Sequence, residues 1–153
     1  MKTLERVPIH SGEVLCRNGE FRVYWKPADR ENLGLMRFLL ANGVNVPEAI
    51  KLKDKVYVRW HGQSLNNENL IRELQGDRSL LDRMMRLLEE EVRKLHLLGY
   101  IHRDLFPQNI TWDGEMVWLI DFGMAQPISP EAIKEELANL ENIAYQIEHH
   151  VPN

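Results

Sequence analysis

The segment "SLLDRMMRLLEEEVRKLHLLG", residues 79–99, constrains the fold of this chain most strongly. Its apolar residues recur every three or four positions, which places them along one face of a helix. They are Leu81, Met84, Leu88, Val92 and Leu95. Gly99 follows where a helix commonly ends. The spacing predicts a long amphipathic helix packed against a core, with the acidic run at residues 89–91 on its solvated face.

The first quarter of the chain has the pattern of strands. "GEVLCRNGEFRVYWK" contains two strand-prone runs joined by Asn18-Gly19, a dipeptide typical of two-residue hairpin turns. We predict a hairpin of residues 13–17 and 20–26, preceded by a strand near 3–7. Asp29 is placed to cap a following helix. The segments "EAIKLKD" and "KVYVRWHG" predict two further strands.

A second hairpin is predicted in "NITWDGEMVWLID", residues 109–121, turned by Asp113-Gly114. Antiparallel pairing brings Asn109 and Asp121 to the same end of the ribbon. With a two-residue turn, Asp121 overshoots the residue opposite Asn109 by about three positions, or roughly 10 Å. An amide and a carboxylate oxygen near one point suit a hard cation such as Mg²⁺. Asp104, five residues before Asn109, adds a carboxylate that can orient or deprotonate a hydroxyl.

The last predicted element is a helix that begins at Ser129 and Pro130, a favoured N-cap and a favoured first helical residue. Its spacing predicts a buried stripe of apolar side chains. The stripe consists of Ile133, Leu137, Leu140, Ala144 and Ile147.

Length and composition set the broad class of protein. The chain has 153 residues, about one domain, with 44% apolar and 27% charged residues. Its net charge of −4 disfavours nucleic acid as a partner. Cys16 is the single cysteine, which excludes an intrachain disulfide. No stretch approaches the about 20 apolar residues of a membrane span, and the N-terminus has no apolar signal segment, so we expect a cytoplasmic protein.

Two motifs resemble those of the protein-kinase-like superfamily. "HRDLFPQN" (102–109) resembles its catalytic loop, H-R-D-L-x-x-x-N, and "DFG" (121–123) resembles its magnesium-binding motif. The resemblance implies that Asp104 is the catalytic base and that Asn109 and Asp121 are magnesium ligands. It also implies that His102 and Arg103 support the loop. The expected fold is α+β, a minimal protein-kinase-like fold in one domain.

The same resemblance divides the domain into two lobes. An N-lobe of about residues 1–62 has a small antiparallel sheet and one helix, and a truncated helical C-lobe covers about residues 63–153. Lys26 in "VYWK" resembles the lysine that holds the α and β phosphates of ATP. Glu31 is its candidate partner, although a glutamate in the first turn of a helix is also expected simply to complement the helix dipole. Ser11 and Gly12 are the candidate phosphate cover.

The segment "VPEAIKLKDKVYVRWHGQSL" resembles the fourth and fifth strands and the hinge of small kinases. This implies that backbone groups from Val58 through Trp60 to His61 meet the adenine edge. Apolar residues such as Val56 and Ile120 then sandwich the ring. A core position for the Trp60 side chain and a partly exposed surface position for the His61 side chain are the alternatives.

Three departures from the pattern bear on the substrate. The loop at residues 10–13 has one glycine, Phe106 replaces the usual lysine of protein serine/threonine kinases, and the last helix follows Gly123 closely without an activation segment. The chain therefore resembles the compact atypical branch, which contains RIO-type and Bud32-type kinases and the lipopolysaccharide and Kdo kinases. We expect an ATP- and Mg²⁺-dependent phosphotransferase acting on serine or threonine of a protein. A lipopolysaccharide or sugar kinase is the alternative, and an ATP-binding regulatory module without transfer activity is the non-enzymatic one.

Overall fold

The computed structural model describes residues 5–9, 12–17, 20–27 and 31–151, with side chains from residue 31 onward. This part of the chain folds into four α-helices and three antiparallel sheets, which confirms the α+β class and the minimal kinase-like arrangement. Its strands are β1 (Glu5–Ile9), β2 (Gly12–Arg17), β3 (Glu20–Pro27), β4 (Ala49–Leu52), β5 (Lys55–Arg59), β6 (Gln63–Ser64), β7 (Tyr100–Ile101), β8 (Ile110–Trp112), β9 (Val117–Leu119) and β10 (Gln126–Pro127). Its helices are α1 (Leu33–Ala41), α2 (Glu68–Gln75), α3 (Arg78–Leu97) and α4 (Pro130–Glu148), with a 3-10 helix at Pro107–Asn109.

The largest sheet has the strand order β1-β2-β3-β5-β4 and is antiparallel throughout. The predicted first hairpin corresponds to β2 and β3. In the sheet register Lys26 lies opposite Val56, and Tyr24 lies opposite Val58. The predicted Asn18-Gly19 turn lies outside the described residues, as do Ser11 and Asp29.

Helix α1 begins later than the sequence predicts. Its N-cap is Asn32, whose side-chain oxygen accepts from the Leu35 backbone N–H at 3.2 Å. The prediction that Asp29 caps this helix is wrong, because Asn32 is an equally good cap that stands nearer the first apolar residues. Glu31 consequently precedes the helix and does not belong to its first turn.

Helix α3 is confirmed as the centre of the core. Asp77 caps it, accepting from the Leu80 backbone N–H at 3.1 Å, and all five residues of the predicted apolar stripe are buried. The acidic run is not wholly solvated, because the Glu91 side chain is buried. Its carboxylate accepts from the Asn45 backbone N–H at 2.7 Å and from Lys94 Nζ at 2.8 Å. The Asn45 carbonyl in turn accepts from Leu119 N at 2.9 Å, which connects α3 to β9.

Helix α4 begins at the predicted residues, and Ser129 Oγ accepts from the Ala132 backbone N–H at 3.2 Å. Its buried face is rotated from the predicted stripe. The buried residues are Glu136, Leu140, Ile143 and Ile147. Of the predicted stripe, Leu140 and Ile147 are buried and Leu137 is half-buried against the core, whereas Ile133 and Ala144 are only half-buried. The rotation turns Glu136 inward, where it accepts several hydrogen bonds.

Among the described residues, no helix is long and apolar enough to cross a membrane. The boundary between the two lobes near residue 62 stays a prediction.

Candidate active site

The hairpin of β8 and β9 sets the geometry of the site through the length of its loop. Trp112 pairs with Val117, so the loop contains the four residues 113–116. Asp113 closes this loop, since its Oδ1 accepts from the backbone N–H groups of Glu115 at 2.8 Å and Met116 at 2.7 Å. The predicted two-residue turn is therefore wrong. The carboxylate stabilises a longer turn than the Asp-Gly dipeptide indicates.

The longer loop shifts the register by two residues. Ile110 pairs with Leu119, and the Ile120 backbone N–H donates to the Asn109 carbonyl at 3.0 Å. Asp121 is then one residue beyond the residue opposite Asn109, where a two-residue turn would put it three beyond. The predicted overshoot of roughly 10 Å falls to about 3 Å. The register therefore places Asn109 and Asp121 closer together than the sequence pattern predicts.

Asn109 also contacts the loop that carries Asp104. Its side-chain Nδ2 donates to the Asp104 backbone carbonyl at 2.7 Å. Because the amide nitrogen is engaged, the amide oxygen is the atom left for a cation. Asn109 is buried, whereas Asp104 is half-buried. Asp104 is thus partly accessible, and its backbone carbonyl is held by the Asn109 amide.

His102 joins the catalytic loop to the Asp121 segment. Its Nε2 donates to the Ile120 carbonyl at 2.7 Å, and its Nδ1 accepts from the Asp104 backbone N–H at 3.1 Å. The imidazole is fully buried, and its ring centroid lies 4.8 Å from that of Phe122. Burial lowers the pKa of His102 below its ordinary value of 6.5, more than Ile120 and the nearby carboxylates raise it. Both hydrogen bonds fit one neutral tautomer, in which His102 connects the backbone of Asp104 to that of Ile120.

Glu136 of α4 fixes the start of the catalytic loop. Its carboxylate accepts from the backbone N–H of His102 at 3.0 and 3.1 Å, from that of Arg103 at 2.9 Å, and from His96 Nε2 at 2.9 Å. Burial alone would raise the pKa of Glu136. The hydrogen bonds from His96 and the two backbone groups outweigh that effect, so the pKa lies below its ordinary value of 4.5. Glu136 is a buried carboxylate with a donor set that stabilises its charge.

The backbone is strained at two residues of this site. Arg103 and Asp121 both have φ of +69°, a region that residues other than glycine rarely adopt. Such conformations cost about 1–3 kcal/mol and persist where the surroundings fix them. Glu136 holds the Arg103 N–H, whereas His102 holds the carbonyl of Ile120, the residue before Asp121. The Arg103 side chain itself is exposed.

Among the residues predicted to form the hinge, His61 lies against the same hairpin. The His61 imidazole stacks on the Trp118 indole, with centroids 3.6 Å apart and planes 13° apart. Trp118 and Ile120 are two residues apart, so strand alternation puts their side chains on one face of β9 and its continuation. His61 is half-buried, and burial is the main cause that lowers its pKa. Val58 is buried and Trp60 is half-buried.

The structure describes the remaining predicted residues less fully. Lys26 lies in β3 opposite Val56, and Gly12 begins β2, as backbone positions only. Glu31 is half-buried just before α1. The proposed contact between Lys26 and Glu31 remains a prediction, as does the phosphate cover by Ser11 and Gly12.

The predicted donor set fits a magnesium ion. Among the described residues no group of three or more His, Cys, Asp or Glu side chains is gathered as a complete metal site. Mg²⁺ does not need one, because it commonly takes one or two protein oxygens and completes its shell with phosphate and water. The Asn109 amide oxygen and the Asp121 carboxylate would hold it here.

Sequence reasoning did not identify Glu136, and the reason is physical. A glutamate within an amphipathic helix is normally solvated. The available signal was its position between Ile133 and Leu140 on the apolar side of α4. A carboxylate at such a position needs buried donors, which points to backbone N–H groups or to a histidine such as His96.

Two comparisons with known proteins support a kinase-like family. The family model described as the RIO domain matches residues 16–151. The chain is also similar to "Cyclin-dependent kinase F-4" of Oryza sativa subsp. japonica, with 28% identity over 134 residues, 78% of this chain and 27% of the relative. The chain thus spans about a quarter of the length of that curated relative. This protein belongs to the RIO-domain family, within the protein-kinase-like superfamily.

Proposed function

We propose that this protein is an ATP- and Mg²⁺-dependent phosphotransferase, an atypical kinase that acts on serine or threonine hydroxyls of a protein. The observation that supports it most is the hydrogen bond between the Asn109 side chain and the Asp104 carbonyl, together with the register that puts Asp121 beside Asn109. The hydrogen bond supports a link between the candidate base and one candidate metal ligand, and the register supports a position for the second ligand one residue beyond the residue opposite the first. Membership of the RIO-domain family supports the same class of activity.

In this proposal the acceptor hydroxyl lies against Asp104. The hydroxyl oxygen forms a bond to the γ-phosphorus of ATP, the bond from that phosphorus to the bridging oxygen breaks, and ADP leaves. Asp104 orients the hydroxyl and accepts its proton. A bound Mg²⁺ supplies charge neutralisation for the phosphate oxygens.

The chain's own residues supply positioning. Glu136 accepts from the backbone N–H groups of the two residues before Asp104, and His102 accepts from the N–H of Asp104 itself, so both would position this backbone without taking part in the chemistry. Val58 through His61 would contact the adenine, with Ile120 beneath the ring and Lys26 at the α and β phosphates. Fixing reactants in this way accounts for much of the rate enhancement of phosphoryl transfer.

The test uses ATP labelled at the γ-phosphate, Mg²⁺, and three conditions: the protein alone, with a generic protein substrate, and with lipopolysaccharide. Asp104→Asn is the test variant, and Asp54→Asn, an exposed residue of the β4–β5 turn, is the matched control. We expect label on protein with wild type and the control, and loss of at least about 100-fold with Asp104→Asn. Label on the glycan alone would identify a sugar kinase. ATP binding without label anywhere would contradict the enzymatic proposal.

A further inference from the structure

A cavity of about 650 Å³ adjoins the catalytic loop, and neither the proposed chemistry nor the nucleotide uses it. Three separate elements form its walls: the segment from β6 into α2, the 3-10 helix with the residue before it, and the C-terminal end of α4. Representative wall residues are Leu65, Ile71, Phe106, Pro107, Tyr145 and Ile147. We call this the α4-end cavity.

Hydrogen bonds hold the walls of the α4-end cavity in place. Gln75 Nε2 donates to the carbonyls of Ile147 and His150, each at 2.9 Å, and so ties α2 to the end of α4. The Leu65 backbone N–H donates to the Pro107 carbonyl at 3.1 Å, which ties the segment between β6 and α2 to the 3-10 helix. The cavity is therefore preformed, which lowers the entropic cost of filling it.

The lining is apolar and aromatic. Phe106 is 45% exposed and Tyr145 is 62% exposed, and the Tyr145 ring contacts the His149 ring with centroids 4.2 Å apart. Among the described residues that line the cavity there is no Asp, Glu, Lys or Arg, and the polar ones are amides and imidazoles. A phosphorylated glycan would find no lysine or arginine in this lining. An aromatic or aliphatic group would replace water at a large apolar surface.

The cavity lies close to the candidate base. The Phe106 backbone N–H donates to the Asp104 carbonyl at 3.0 Å, and the two Cα atoms are separated by at most about 7.6 Å of chain. An extended peptide advances about 3.3 Å per residue. A side chain in the cavity would therefore be roughly two to four residues from a hydroxyl at Asp104.

We propose that the α4-end cavity binds an aromatic or large aliphatic side chain of a protein acceptor, and that this contact selects the residue to be phosphorylated. The proposal rests on the proposed kinase function and adds the class of acceptor sequence. The uncharged lining and the proximity to Asp104 carry it.

The experiment uses nine-residue peptides with one central serine in an alanine and glycine background, with a single phenylalanine walked through the other positions. We compare kcat/KM for wild type, Tyr145→Glu and Glu141→Ala. Tyr145→Glu places a charge in the cavity at an exposed position, where we expect little effect on folding, and Glu141→Ala is a matched control elsewhere on α4. Binding of the same peptides is measured by fluorescence anisotropy with Asp104→Ala, with and without Tyr145→Glu, because this readout needs no turnover.

We expect phenylalanine at one position to raise kcat/KM roughly tenfold over the alanine peptide, as for burial of a large apolar side chain. Tyr145→Glu should remove this preference without changing kcat/KM for the alanine peptide, and Glu141→Ala should keep it. Equal rates at all positions, or a preference that Tyr145→Glu leaves intact, would overturn the docking proposal. Self-association that depends on Tyr145, or binding of lipopolysaccharide in place of peptide, would also overturn the docking proposal. Phenylalanine-dependent binding without transfer to any acceptor would overturn the proposed kinase function and support the docking site.

Discussion

The side-chain amide of Asn109 donates to the backbone carbonyl of Asp104 at 2.7 Å. One hydrogen bond thus connects the candidate metal ligand to the candidate base. The residue opposite Asn109 in the hairpin is Ile120, whose N–H donates to the Asn109 carbonyl and whose own carbonyl accepts from His102. Asp104, Asn109 and the segment that carries Asp121 therefore form one hydrogen-bonded unit.

Replacing Asn109 should affect both metal use and loop geometry. Asn109→Ala removes the amide oxygen and the bond to Asp104, so we expect kcat to fall by at least about 100-fold and the Mg²⁺ concentration for half-maximal rate to rise. Asn142→Ala, an exposed asparagine on α4, is the matched control. Phosphate transfer measured across a magnesium titration checks this. An unchanged rate and an unchanged magnesium dependence would remove Asn109 from the site.

Replacing Glu136 should loosen the catalytic loop. Glu136→Gln keeps the shape of the side chain but removes its charge, which weakens the charge-assisted hydrogen bonds from the His102 and Arg103 N–H groups, and its NH₂ group cannot accept from His96 Nε2. We expect a loss of about 1–3 kcal/mol in the free energy of unfolding, measured by urea denaturation at pH 7. The exposed Glu135 gives the control Glu135→Gln, for which a change below about 0.5 kcal/mol is expected. Equal effects of the two variants would refute the role of Glu136.

The buried His102 should make stability depend on pH. Its folded pKa lies below 6.5, so the unfolded state binds more protons at mildly acidic pH. The stabilisation from neutral His102 is fully present above pH 6.5 and is lost as pH falls through 6.5 toward the folded pKa. Imidazole NMR signals of wild type across a pH titration, with His102→Asn used for assignment, should show that the pKa of His102 lies below 6.5 because the ring is buried. Titration at 6.5 or above would show that the ring is solvated.

Substitution of Gly62, which follows the predicted hinge, should lower the free energy of unfolding more than substitution of other glycines with positive φ. A Cβ on Gly62 would lie 2.1 Å from the Trp112 carbonyl oxygen, and φ is +97°. Gly114 has φ of +101° with no atom within 4 Å of such a Cβ, so it is a matched control for backbone strain alone. We expect Gly114→Ala to cost about 1 kcal/mol in unfolding free energy and Gly62→Ala at least about 2 kcal/mol more. Thermal and urea denaturation measure both. Similar losses of unfolding free energy for the two variants would show that the backbone at Gly62 moves away from Trp112 at no cost in free energy.

The parts of the fold that the sequence predicted are those set by local periodicity. The apolar stripe of α3 follows from the spacing of its residues alone. So do β3, which contains Lys26, and β5, which pairs with it. The order of Asp104, Asn109 and Asp121 along the chain also indicated the site, because the residues between them form a hairpin that returns the chain to its starting point.

The predictions were wrong where a side chain accepts hydrogen bonds from backbone groups far away in the sequence, or from a turn that is longer than its sequence indicates. Asp113 extends its turn to four residues by accepting two N–H groups, and the extra residues change the register of β8 and β9. Glu136 is buried because backbone donors 33 and 34 residues earlier in the chain meet it. Neither set of hydrogen-bond donors is indicated by the local sequence pattern.

The central claim is that Asp104, Asn109 and Asp121 form a phosphoryl-transfer site, and Asp121→Asn tests it most directly. Single-turnover transfer of the labelled γ-phosphate is measured for wild type, Asp121→Asn and the exposed control Asp54→Asn at saturating ATP and Mg²⁺. We predict a loss of at least about 100-fold for Asp121→Asn alone, with the control within about twofold of wild type. Transfer by Asp121→Asn at the wild-type rate would contradict the claim.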